Sequence, residues 1–287
     1  MPKRKRTACS VESSEMLEKY YELFQQRGEE SFRGQFGLPS YAVERLYLRM
    51  VKLWPSRPKF WGKSDLLLGL NFLAEPAGNW AAHAARWRVH PDTFQKRLGT
   101  TLAAIDNCLP KLRFEDRWEN WSYKQPSFII DTFKCPISEP TMNGWQYIQG
   151  TDKWWYKYEV AVAIGSPRIV WLAGPFKGAA SDSSIADVSG IKNAMVPGER
   201  ALADKIYRHS KETFICPISG DKGKLPKEEK AYNFLIYSAR QTVERGIKRM
   251  RNGKFSKHTW RYGPHLHKLC MMCQAKLTNW CFLFEPL

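Results

Sequence analysis

Apolar positions recur at helical spacing over roughly the first 120 residues and at strand spacing beyond them. Residues 1–30 begin as a basic tail and run into a helical stretch at Glu15 to Gln26. Tyr41, Val43, Leu46, Leu48, Met50, Val51 and Leu53 predict a helix that Pro55 stops, and Ser64 to Ala74 predicts another. Asn79 to Trp87 reads as a short helix, followed by a tight turn through Arg88-Val89-His90. A further helix opens at Pro91 or Asp92 and turns Phe94 and Leu98 inward.

From about residue 121 the period changes. Ser127-Phe128-Ile129-Ile130-Asp131 is a short apolar run ending in a carboxylate. Tyr156 to Ile164 alternates, turns through Gly165-Ser166-Pro167 and returns as Arg168 to Gly174, which predicts a hairpin. Ser183 to Val188 suggests a short helix capped by Asp182 or Ser183. Arg200 to Asp204 and Thr213 to Ile218 read as two more strands, and Glu228 to Met250 as a long helix. This order implies an α/β fold, a ribonuclease H-like mixed sheet flanked by helices, with the first and fourth strands side by side. The expected division is a tail and leading helix at 1–30, an all-α region at 31–120, the α/β domain at 121–262, and a C-terminal helix at 263–287 packing on it.

Charge changes the picture most. A net +17 favours a polyanionic partner, and nucleic acid is the commonest inside cells. The apolar runs are too short to span a bilayer, and no basic amphipathic anchor stands out. No apolar segment follows the basic N-terminus, which argues against a secretory signal. Seven irregularly spaced cysteines argue against a disulfide framework and for a reducing compartment. Pro2-Lys3-Arg4-Lys5-Arg6 reads as a nuclear import tag or a DNA-grasping arm, with a solvated basic tail as the alternative. A nuclear location is therefore expected. In this light, the pair of helices around Arg88-Val89-His90 matches a helix-turn-helix, with Gln95, Lys96 and Arg97 facing a DNA groove. An ordinary helical hairpin is the competing reading.

Cutting a phosphodiester requires charge neutralised at the phosphate, and carboxylates holding two divalent ions supply it. Asp131 and Asp204 close strands expected to be neighbours. Glu244 lies beside the helical stripe Tyr232, Leu235, Ile236, Ala239, Val243 and Ile247. Each has a plainer reading, as turn former or helix cap for the aspartates and as an ion-pair partner of Arg240 and Lys248 for Glu244. Asp182 is the rival second ligand, taken as a supporting residue in a helix-cap setting. His258, His265, His267, Cys270 and Cys273 could bind zinc. Leu266, Leu269, Cys270, Cys273, Leu277 and Trp280 also fit a buried helical face, which is the favoured reading. Trp154-Trp155 could stack on an unpaired base. No glycine-rich phosphate loop is present in the sequence, so ATP is not expected.

Three blocks in order carry a resemblance. They are Ile130-Asp131-Thr132-Phe133-Lys134-Cys135-Pro136-Ile137, Lys157-Tyr158-Glu159-Val160 through Gly174-Pro175-Phe176-Lys177-Gly178-Ala179-Ala180-Ser181-Asp182-Ser183, and Leu202-Ala203-Asp204-Lys205-Ile206-Tyr207. Beyond them, Asn233, Tyr237, Arg240, Glu244 and Arg251 follow with the spacing of a Tyr-Arg-Glu-Lys signature, Arg251 standing in the lysine place. The set resembles the catalytic domain of PIF/Harbinger-type DDE transposases. Ala203 and Ile206 stand where that family commonly has glycines, and Thr132 and Phe133 where it commonly has Gly-Thr.

The resemblance implies catalysis by Asp131, Asp204 and Glu244 holding two Mg²⁺ or Mn²⁺ ions. It further implies cutting at the ends of a mobile element and joining of the 3′-hydroxyl to target DNA. Double-stranded DNA would be contacted by Tyr237, Arg240 and Arg251, with Lys248 beside them. A homo-oligomer and a separate Myb-like DNA-binding partner are implied as well. The alternative is a domesticated, catalytically weak or silent nuclear DNA-binding protein.

Overall fold

Two units divide the chain in the computed structural model, which describes residues 18–19, 21–75, 78–121, 126–140, 144–148, 153–220, 225–251 and 253–285. One unit takes the chain up to Pro110 together with Asn252–His258, the other Lys111–Arg251 with Thr259–Leu287. The basic run at residues 2–6 and the start of the leading helix at Glu15 lie outside the described residues; 18–19 and 21–26 are helical.

The first unit is built from α1 (Glu29–Phe36), α2 (Ser40–Leu53), α3 (Lys63–Ala74), α4 (Trp80–Arg86) and α5 (Pro91–Cys108). Leu66, Leu67, Leu68, Leu70, Phe72 and Leu73 are all buried, and a helix apolar on every side belongs in the core. The crossing of α3 and α5 is close at Gly69, where an added Cβ would stand 2.7 Å from Thr101 Cγ2. The helix expected after Pro91 runs on to Cys108, because Leu98, Leu102 and Ile105 continue its buried stripe.

In the second unit the sheet contains β1 (Phe128–Ile137), β2 (Trp154–Ala163), β3 (Ile169–Lys177), β4 (Ala201–Leu202) and β5 (Phe214–Ile215), in the order β3-β2-β1-β4-β5. β1–β2 and β2–β3 are antiparallel pairs, while β1–β4 and β4–β5 are parallel. Helices α6 (Asp182–Val188), α8 (Lys227–Met250) and α9 (Pro264–Phe282) flank it, with the short α7 (Ile191–Ala194) after α6. This five-stranded mixed sheet is compatible with a ribonuclease H-like fold.

The strand register sorts side chains between two faces. Phe128, Ile130, Ala161 and Ala163 enter one apolar core with Phe114, Val170, Ala186, Tyr207 and Phe214. Asp131, Phe133, Tyr158 and Val162 fall on the opposite face, under α8 and α9. There, Gly246 of α8 stands over Val162, and Tyr158 meets His267 of α9. The ends of α8 suit the helix dipole, with Glu228 and Glu229 in its first turn and Lys248 and Arg249 in its last.

Strand ends differ from expectation in ways that bear on chemistry. β1 does not stop at Asp131, because β2 pairs with it as far as Ile137↔Trp154. Its parallel pairing with β4, however, is confined to Ile129↔Leu202, so Asp131 lies just past the point where β1 loses its second neighbour. Further along, Trp260 covers that open side, its N–H donating to Pro136 O at 2.9 Å. β4 has only two residues, and Asp204 lies beyond it as the cap of a 3₁₀ turn, Lys205–Tyr207. β5 is likewise shorter than the expected strand at 213–218. The cap of α6 is Ser181, which accepts from the Ser184 N–H, rather than Asp182 or Ser183.

Candidate active site

Backbone geometry brings Asp131 and Asp204 to one rim of the sheet, since β1 and β4 are neighbours. Asp131 Oδ1 accepts from the Thr132 N–H at 2.8 Å, and Asp204 Oδ1 from the Lys205 N–H at 2.7 Å. Arg240, reaching down from α8, spans both. Its Nη1 lies 3.2 Å from Asp204 Oδ1 and its Nη2 lies 3.8 Å from Asp131 Oδ2. The Arg240 side chain is 11% exposed, Asp131 23% and Asp204 40%, so the cluster opens to water on the Asp204 side. Arg240 Nε is buried with no hydrogen-bond partner.

Burial pushes the Asp131 carboxyl up to about 6. The Thr132 N–H and Arg240 pull it down, while the negative charges of Asp182 and Asp204 push it further up. A carboxyl destabilised by desolvation and by like charge gains from any cation that enters beside it. The oxygens present are the hard donors that a divalent ion prefers.

Glu244, the third expected acid, is exposed one turn beyond Arg240 on α8, and the charges bearing on Asp131 are Arg240, Asp182 and Asp204. Among the described residues no group of three or more His, Cys, Asp or Glu side chains is gathered so as to hold a metal ion. The assembled part is thus a carboxylate pair spanned by an arginine.

Asp182 occupies the first turn of α6, held by a 2.9 Å ion pair from Lys157 Nζ, which also donates to Ala180 O at 2.6 Å. Two positions along β2, Glu159 is fully buried and accepts from the Trp171 indole N–H at 3.0 Å, with the Ser189 hydroxyl also pulling its carboxyl down. Burial pushes that carboxyl up to about 7. The Tyr207 hydroxyl is buried without a partner. Burial, and the field of Asp182, Glu159, Asp131 and Asp204, push its ionisation well up, so it stays protonated. Lys157, Glu159 and Tyr207 stand in the resembling blocks but had no role expected of them. The available signal was charge at alternate positions of an otherwise apolar strand, which directs Lys157 and Glu159 to the same face as Ala161.

The residues expected to contact DNA are placed unequally. Tyr237 is 52% exposed and Lys248 is exposed. Arg251 lies over the Phe133 ring at 5.9 Å, and Arg240 is committed to the two aspartates. In the first unit Gln95 and Lys96 face solvent, but Arg97 does not. It is buried with Nε 3.5 Å from the fully buried Asp65, because that charge needs a counter-ion inside the helical core. Arg97 is therefore corrected from a groove-facing residue to a core ion-pair partner. Trp154 and Trp155 are half-buried on β2, with Lys134 6.0 Å from the Trp155 ring.

The C-terminal histidines and cysteines are not gathered into a site among the described residues. His258 and His265 are exposed, while Cys270 and Cys273 are buried in α9. His267 is buried with its Nδ1 2.7 Å from the Tyr158 hydroxyl, and burial pushes it down to about 3. These three residues pack the core.

A family model described as DDE superfamily endonuclease matches residues 130–279, just over half of the chain. The chain belongs to this DDE superfamily endonuclease family. No curated protein and no solved structure matches it. The matched span opens at Ile130, beside Asp131, and takes in Asp204, Arg240, Glu244 and most of α9. Membership of the DDE superfamily endonucleases suggests nuclease or transposase chemistry with DNA as the substrate class, and the superfamily generally uses divalent metals. No helix among the described residues is long and apolar enough to cross a membrane.

Proposed function

We propose that the chain is a divalent-metal-dependent DNA endonuclease and transposase of the PIF/Harbinger type, acting through Asp131, Asp204 and Glu244. The observation that carries this reading is the meeting of Asp131 and Asp204 at one sheet rim, spanned by Arg240, within the family span. When bound, two Mg²⁺ or Mn²⁺ ions supply positive charge at the attacked and leaving oxygens of the phosphodiester.

The chain's own residues do the rest. Asp131 is oriented by the Thr132 N–H and Asp204 by the Lys205 N–H, which fixes their carboxylates before metal arrives. Glu244 joins from α8, and Asp182, clamped by Lys157, supports the site from the other side of the sheet. Tyr237 and Lys248 on α8, and Arg251 at its C-terminal end, grip phosphates. In the first unit α4 and α5 act as a helix-turn-helix that presents Gln95 and Lys96 to the element ends. A net +17 suits double-stranded DNA, and a Myb-like partner, a homo-oligomer on DNA and a nuclear location belong to the same reading.

Nicking of supercoiled plasmid with Mg²⁺ tests it, comparing the wild type with Asp204→Asn. The variant is expected to lose about a hundredfold or more in rate. Equal rates would reject the site. Absence of cleavage by both, with salt-sensitive DNA binding retained, would favour a domesticated binding protein on a silent scaffold.

A further inference from the structure

Arg240 stands where a metal-binding pair of acids would need its cation. Two aspartates that neighbouring strands bring to one rim converge on it, and its guanidinium lies between them. Yet its grip is loose. At 3.2 and 3.8 Å to two separate carboxylates it makes no two-pronged contact with either, and its Nε is buried and unsatisfied. A guanidinium placed for permanent structure uses its fork fully, as Arg117 does on Glu199 at 2.7 and 2.8 Å in the same unit.

We propose that Arg240 is a built-in counter-ion that occupies the carboxylate pair until a divalent ion displaces it, so that this residue sets the metal affinity of the site. The proposal rests on the reading of Asp131 and Asp204 as metal ligands. A divalent ion brings twice the charge and bonds the oxygens directly, whereas the guanidinium and the ion repel each other across a few ångströms in a partly desolvated rim. They therefore exclude each other. Because α8 also carries Tyr237 and Lys248, with Arg251 capping its end, a DNA phosphate arriving there offers the released guanidinium a new anion. DNA binding and metal loading thereby become linked, each favouring the other. The arrangement offsets part of the charge of the acids, and keeps the nuclease unloaded, until substrate is present.

Calorimetric titration of the full chain with Mn²⁺ tests this, with and without duplex DNA, in wild type, Arg240→Gln, Arg240→Lys and Asp204→Asn. Arg240→Gln is expected to bind Mn²⁺ roughly fivefold or more tightly than wild type without DNA. Arg240→Lys, which keeps the charge but loses the fork, should fall between them. Duplex DNA should tighten Mn²⁺ binding to the wild type more than to Arg240→Gln, and an equal gain in both would overturn the link through Arg240. If Arg240→Gln binds Mn²⁺ no better than wild type while Asp204→Asn abolishes binding, the counter-ion role is wrong and the ligand assignment stands. If Asp204→Asn leaves binding intact, both fall. Should the Gln variant not fold, the wild type decides. Its Arg240 side-chain Nε–H, sheltered from water, should give an NMR resonance that shifts or vanishes on adding Mg²⁺; an unmoved resonance at saturating metal would overturn the proposal.

Discussion

Two of the arginine–carboxylate assemblies in the second unit are of opposite design. Around Glu199 every valence is used. Arg117 binds it with Nε at 2.7 Å and Nη2 at 2.8 Å, the Ser127 hydroxyl donates at 2.5 Å, and the Val196 N–H donates at 2.9 Å. Burial alone would raise that carboxyl, but these bonds outweigh it and hold it below the usual range. Around Asp131 and Asp204 one guanidinium is stretched between two acids, and Asp131 stays raised by burial. A closed assembly has no room for an incoming charge and serves the fold. An open one leaves acids short of cation, which is the condition a metal or a phosphate-seeking arginine can exploit.

Breaking the closed assembly should have the largest effect on stability. Glu199→Ala leaves Arg117 buried without its partner and is expected to cost about 3–5 kcal/mol in chemical denaturation. A loss under about 1 kcal/mol would mean that water reaches Arg117 and that the contrast is overdrawn.

Next comes Glu159→Gln, whose effect depends on pH. The Glu159 carboxyl rises from an ordinary 4.5 to about 7 on folding. Between those values the folded chain keeps a proton the unfolded chain has released, so its contribution is full at low pH and is lost as pH rises through about 7. Near pH 8 the Gln variant should be more stable than wild type by on the order of 3 kcal/mol, and near pH 4 the two should nearly coincide. Equal differences at the two pH values would show that Glu159 does not titrate in this range. Asp131, raised to about 6, has the same sign and keeps part of the slope in both proteins.

The smallest stability change should come from the open assembly. Arg240→Gln is expected to shift unfolding by about 1 kcal/mol or less, because its aspartates remain partly hydrated. A loss as large as that of Glu199→Ala would erase the distinction and make Arg240 a structural residue.

Much of the fold was legible in the chain because local periodicity reports it. The alternation at Tyr156 to Ala163, the Gly165-Ser166-Pro167 turn and the long amphipathic helix ending at Met250 all match described elements. Strand ends were less legible, since pairing partners set them: β1 continues past Asp131 because β2 does, and β4 is short because only two of its residues pair. Arg97 misled because sequence position gives a helix face but not the buried Asp65 beneath it.

By itself, then, the sequence determined the order of helices and strands and that Asp131 and Asp204 each stand at or just after a short apolar strand-forming run. Those depend on local spacing and chain connectivity, which are written in one dimension. Only the tertiary structure decided which charges meet: Arg240 across Asp131 and Asp204, Arg117 closed on Glu199, and Glu159 sealed behind the sheet beside Trp171. Such pairings are between residues tens of positions apart, and ångström-scale distance and desolvation, which no spacing encodes, set their strength.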